Sequence, residues 1–219
     1  MYNANEVMSI MVAAEKAYNE IAANANNGWK TFVNVIDANW NGQDACMVKT
    51  NLGDILHTVY NEIENSLSVF RANLYGVVGR MLSVQGETAK LGELQQLGED
   101  FGKIQNQIPY GESYTTNPNL PLGFQSADYA TNAQNVVNAV TKIYEGMQEG
   151  FNNNLSSANI TNGGVLNESI ENHISAINSL LNNLNSEIQS VIEPIKNKVT
   201  GLAATAENVA SELNANTNV

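Results

Sequence analysis

The chain has 219 residues, 43% of them hydrophobic and 15% charged, with a formal net charge of -12 and a pI near 4.4. That length suffices for one large domain or two small ones with a real core. So acidic a surface opposes both the phosphate backbone of nucleic acids and the anionic face of a membrane, and neither is expected as a partner.

The opening "MYNANEVMSI" has no basic leader followed by an apolar run, so no cleavable signal peptide is expected there. From Val7 the residues Met11, Ala14, Tyr18, Ile21, Ala25, Gly28, Phe32 and Val35 follow in steps of three and four, a heptad-like seam along one long helix. Ala14, Ala25 and Gly28 keep its middle narrow, which lets another helix approach closely. The turn "DANWNG" at 37–42 ends the pattern, with Asp44 available to cap the helix that follows. Cys46, the one cysteine, excludes an internal disulfide and a cysteine-built zinc site, and reads as a small buried hydrophobe.

A second seam runs through Val48, Leu52, Ile55, Val59, Ile63, Leu67, Phe70, Leu74, Val77 or Val78, and Met81. A short turn makes this helix antiparallel to the first. Beyond it, Gly86, Gly92 and Gly98 interrupt the segment 85–102, which is expected to be helical in places but frayed or kinked. Residues 107–126, "QIPYGESYTTNPNLPLGFQS", hold three of the four prolines and no periodicity, and read as a linker or long loop.

A third helix is marked by Ala133, Val136 or Val137, Val140, Ile143, Met147, Phe151, Leu155 and Ala158. After the breaker "NITNGG", a fourth seam extends from Leu166 through Ile177, Leu184 and Ile195 to Val209 and Leu213. Pro194 should kink or divide it after Glu193, and the final "NANTNV" is expected to be disordered. Three regions follow: 1–106, a hairpin with a glycine-interrupted extension; 107–126, a proline-containing linker; and 127–219, a second hairpin. "DANWNGQDA" and "SANITNGGV" both join helices and share Ala-Asn before a glycine turn, as two hairpins in tandem would. The expected fold is all-α: two antiparallel helical hairpins forming an elongated four-helix bundle, within one chain or across a homodimer.

A long helix, a Trp40-Asn41-Gly42 turn, a small residue at Ala45 and a second amphipathic helix together resemble the Trp-x-Gly (WXG) family, the early-secreted-antigen-like substrates of bacterial type VII secretion. The resemblance covers about residues 4 to 84 directly and 127 to 193 loosely. It implies a helical hairpin that pairs antiparallel with a like hairpin, or with a second copy, and that engages the secretion ATPase. It implies export from the cytoplasm to the medium or cell surface without a cleaved leader. It also places the Trp at the end of the hairpin, partly exposed beside a partner helix, so Trp40, Gly42 and Ala45 become the turn and partner-contact residues. Ile160 and Thr161 stand where the second hairpin would carry its Trp. The family's Tyr-x-x-x-Asp/Glu export string is matched by Tyr60 with Glu64, mid-helix, where a solvated face residue is expected instead, and by Tyr2 with Glu6.

Nothing in the sequence assembles a catalytic site. His57 and His173 stand singly, without metal-ligand spacing. Walker-type loops and Gly-x-Ser-x-Gly elbows do not occur. No enzyme activity, cofactor or metal is expected, nor a stable membrane span. A helical pore-forming or surface-associated toxin component and a phage or surface-filament subunit are the rival readings. The first needs an apolar inserting hairpin, and the second predicts ordered polymers on concentration.

Overall fold

The helical period that organises the sequence also organises the structure, a computed structural model that describes residues 3–100, 107–125 and 128–216, the side chains of 97–100 and 212–216 excepted. In chain order the elements are α1 (Ala4–Asn39), β1 (Trp40–Asn41), α2 (Gln43–Gln85), α3 (Thr88–Asp100), β2 (Gly123–Phe124), α4 (Tyr129–Asn154) and α5 (Val165–Asn216). The protein is all-α. Its two strands form only a short antiparallel bridge, Trp40 opposite Phe124 and Asn41 opposite Gly123.

Asn3 starts α1 by accepting the Asn5 amide proton at 3.0 Å, satisfying one of the donors that every helix N-terminus leaves open. Val7, Met11, Ala14, Tyr18, Ile21, Ala25 and Phe32 are all buried along it. Further on, the buried positions are Trp29 and Ile36, while Val35 stays half-exposed. A straight helix drifts by about 20° per heptad against a 3.5-residue repeat, so the buried stripe moves on by one residue. α2 departs in the same way: Leu56 and Tyr60 are buried, whereas Val48 and Ile55 are only partly covered.

Contacts between α1 and α2 run in reverse chain order, Asp37 with Lys49, Tyr18 with Tyr60, and Glu15 with Arg71, so the two helices are antiparallel. The most extensive packing, however, joins α1 to α4. Here the narrow stripe serves its purpose: a Cβ on Gly28 would lie 2.9 Å from the Ile143 side chain, and one on Gly150 would lie 2.9 Å from the Ile21 backbone nitrogen. Asn24 Nδ2 donates to the Gly146 carbonyl at 2.6 Å across the same seam. α5 packs against α2 and α4, with Phe70 and His173 rings 5.0 Å apart near one end and Asp44 meeting Lys198 near the other.

Several sequence expectations change. Gly42, not Asp44, is the N-cap of α2, because the reversal needs a φ of 134° that only glycine adopts readily. The glycine-interrupted tail is a distinct helix: Gly86 caps α2 in the left-handed conformation, and α3 then lies against α2 with Leu94 buried. Pro194 does not divide α5, which is helical on both sides of it. The helix also reaches Asn216, so only 217–219 of the expected disordered tail lie outside the described residues.

Residues 107–125 lie along the α1–α2 hairpin as a packed strap. Asn26 Oδ1 accepts the Gln107 amide proton, Asp54 Oδ1 accepts that of Gly111 at 2.7 Å, and Thr50 Oγ1 donates to the Glu112 carbonyl. Ile108 and Phe124 are buried. The missing period has a plain cause: the strap is held mainly through side chains bonded to its backbone, which leave no alternation of apolar residues.

Candidate functional site at the Trp40 turn

α1 gives way at Asn39, where the backbone turns extended at Trp40 and the Trp40 amide donates to the Ile36 carbonyl. Gly42 reverses the chain and its carbonyl accepts the Cys46 amide proton at 3.1 Å, opening α2. Ala45 is 2% exposed beneath the turn. Asp44 sits in the first turn of α2, where the helix dipole favours a carboxylate, and its Oδ2 meets Lys198 Nζ of α5. Cys46 is buried, as its apolar neighbours suggested.

Trp40 is 4% exposed. It therefore does not project from the hairpin end as the family resemblance implies. Its indole stacks on Phe124 of the strap at 5.1 Å and 14°, and Phe124 in turn meets Tyr129 edge-on at 6.5 Å. Asn41 fastens the same place: Nδ2 donates to the carbonyls of Asn117 at 3.0 Å and Leu120 at 3.1 Å, and Oδ1 accepts the Asn117 amide proton at 3.0 Å. Gln125 closes the arrangement, its backbone N–H donating to the Asn39 carbonyl at 2.9 Å. Phe124 and Asn41 were missed in the sequence. The only hint was that the proline- and glycine-rich segment still carries large apolar side chains, Ile108, Leu120, Leu122 and Phe124 among them, without any period.

Beside the turn lies a groove of about 670 Å³ between the start of α2 and the later part of α5. Met47, Val48 and Ile55 line it from α2, Val191, Pro194 and Ile195 from α5, and Trp40 and Lys198 also border it. Asp44 and Asp54 are its carboxylates. Met47 is 56% exposed, and Leu122 of the strap, 75% exposed, stands on the other side of Gly42. α2 thus carries a wide apolar arc here: Leu52 and Leu56 are fully buried, while Val48 and Ile55 pack against the core and also line the groove.

Tyr60 is not on a solvated face, contrary to the sequence expectation. It is 1% exposed, and its hydroxyl donates to Tyr18 Oη at 3.0 Å, which donates to Glu64 Oε1 at 3.3 Å. Burial raises the pKa of both tyrosines, that of Tyr60 far above the usual tyrosine value. The Tyr60 and Glu64 string is thus sequestered between α1 and α2. Tyr2 lies outside the described residues; Glu6 Oε2 accepts the Thr161 amide proton at 2.9 Å, tying α1 to the second turn. Ile160, standing where a second Trp would fall, is 1% exposed, and Asn167 holds both its amide and its carbonyl.

The histidines serve packing. His57 stacks on Tyr110 at 4.8 Å with Nδ1 3.3 Å from the Ile108 carbonyl oxygen, and burial against Phe70 lowers the pKa of His173. Among the described residues no three His, Cys, Asp or Glu side chains converge as a metal site would require, and no helix is long and apolar enough to cross a membrane. No protein family, curated protein or solved structure matches this chain.

Proposed function

We propose that the protein is a non-enzymatic, secreted bacterial helical-bundle protein, a substrate or binding partner of a type VII secretion system of the Trp-x-Gly kind. In this reading the chain is an elongated four-helix bundle of two antiparallel hairpins, and α4 with α5 takes the place of the separate hairpin with which a family member pairs. The carrying observation is the reversal of two long helices, 36 and 43 residues, on Trp40-Asn41-Gly42 with Ala45 buried beneath. The dense α1–α4 seam supports self-pairing, since Gly28 and Gly150 admit helix α4 more closely than any Cβ would allow.

Recognition by the export machinery then falls to surfaces near the turn that the second hairpin leaves uncovered, the α2–α5 groove foremost. The buried Tyr60 and the half-buried Glu64 bonded to Tyr18 are assigned to the fold and not to the export signal. The protein resides in the cytoplasm before export and at the surface or in the medium after it. Deleting the membrane ATPase of the secretion system in the producing bacterium tests this directly. The protein should accumulate inside the mutant and appear in the medium of the parent; release that is indifferent to the deletion would overturn the proposal.

A further inference from the structure

We infer that the groove between α2 and α5 is a docking site for a basic amphipathic helix of a partner protein, about three turns long. The inference deepens the partner-binding part of the reading above and rests on it, but it does not require export.

The groove is an open trough between two helices, and its floor is apolar. From Asp44 to Ile55 the lining of α2 spans 12 residues, 11 steps or about 17 Å at 1.5 Å per residue, which matches a helix of that length laid alongside. Val48 and Ile55, which pack against the core and stay half-exposed, line it together with Met47, which is exposed and no part of the core. Methionine at such a place adapts to the side chain that enters. A small-molecule site would add several convergent polar groups fixing one orientation. Here the lining polar groups are spread along the edges: Asp44 and Lys198 at the turn, Asn51 and Asp54 farther along α2, and Ser190 on α5.

Charge selects the sign of the partner. Asp54 spends Oδ1 on the Gly111 amide, and no cation pairs with it among the described residues. Asp44 already contacts Lys198, in a pair about half exposed that a competing cation can share. The whole chain carries -12, so a basic segment is drawn to it and an acidic one is repelled.

The test uses the full chain and a labelled synthetic helix of three to four turns, leucine on one face and lysine on the other. Controls are the same peptide with glutamate for lysine and one with the residues in non-amphipathic order. By fluorescence anisotropy the lysine helix should bind saturably, weaken with salt, and lose at least tenfold in affinity to Met47→Lys. Val84→Lys, an exposed control position on α2 away from the groove, should leave binding unchanged. Circular dichroism of each variant separates lost binding from lost folding, and Asp54→Asn gives a second, milder variant that should weaken the lysine helix and spare its core contacts. Equal binding of the glutamate or reordered peptide, or indifference to Met47→Lys in a folded variant, overturns the inference. So does a homodimer that dissociates on Met47→Lys, which would make a second copy the occupant. Because binding is read in vitro, a chain that binds the helix yet is not exported sinks the secretion reading alone.

Discussion

The indole of Trp40 and the phenyl ring of Phe124, 84 residues apart in the chain (124 − 40), lie stacked at 5.1 Å and 14°. The large aromatic in a turn of small polar residues thus has an internal partner, and the strap that brings Phe124 is part of the same anchor. Separating the pair thermodynamically is straightforward. Phe124→Ala and Trp40→Ala should each destabilise the protein by about 3–5 kcal/mol, the range for truncating a buried aromatic. Their double-mutant cycle should return a coupling of about 0.5–1.5 kcal/mol. Urea unfolding followed by circular dichroism measures all three variants, and a coupling near zero would mean that the stack contributes nothing of its own.

Asn41 makes a different kind of claim on the strap. Its amide donates to the Asn117 and Leu120 carbonyls, so Asn41→Asp would turn a donor into a carboxylate facing carbonyl oxygens. The variant should keep its helices and lose strap order. Limited proteolysis with mass spectrometry should then find new cuts within 107–125, while unchanged cleavage would show that Phe124 and Ile108 hold the strap unaided.

Close approach of α1 and α4 predicts opposite outcomes for the same substitution. Gly150→Ala would press a Cβ against the backbone of Glu20 and Ile21, at 3.0 and 2.9 Å, and should cost about 1–3 kcal/mol through overpacking. Gly92→Ala in α3 meets nothing within 4 Å and should gain up to about 1 kcal/mol of local helix stability. Thermal melts and helix content distinguish them; a neutral Gly150→Ala would mean that the helices separate at little cost.

The Tyr60, Tyr18 and Glu64 relay orders two further variants. Tyr18→Phe leaves the Tyr60 hydroxyl buried without its acceptor and should cost about 1–3 kcal/mol, whereas Tyr60→Phe removes a single bond and should cost about 0.5–1.5 kcal/mol. The reverse order would mean that the relay is directed the other way.

Alkaline pH probes the same relay. Burial raises the folded pKa of Tyr60 far above its ordinary value of 10.0, and that of Tyr18 in the same direction. Above about pH 10 the unfolded chain releases these protons while the folded chain keeps them. The stability difference is fully present below pH 10 and falls as pH rises, by up to about 1.4 kcal/mol per unit for each tyrosine. Denaturant unfolding from pH 8 to 11 should show this limb, and Tyr60→Phe should flatten it; an unaltered slope in that variant would assign the loss to other groups.

What the sequence determined by itself is what a 3.6-residue period can encode. The stripes from Val7 to Phe32, from Leu52 to Val78, and from Ala133 to Leu155 are read from the chain alone because each helix must bury one face wherever it lies. The reversal at Gly42 was equally legible, since glycine there allows the required φ. A residue's local pattern says nothing, however, about which stripe meets which. That α1 lies closest to α4, that the strap returns along α2, and that Phe124 rather than a partner covers Trp40 were decided only by tertiary structure. These contacts join residues far apart in the chain, 76 positions for Asn41 with Asn117 and 122 for Asn24 with Gly146, through shape at Gly28 and Gly150 and through side-chain bonds to backbone at Asn24, Asn26 and Asn41. Neither leaves a period in the sequence. The same limit explains the groove: Val48 and Ile55 look like core positions from their spacing and do pack against the core, but how far α5 covers them near Pro194 is decided only by tertiary structure.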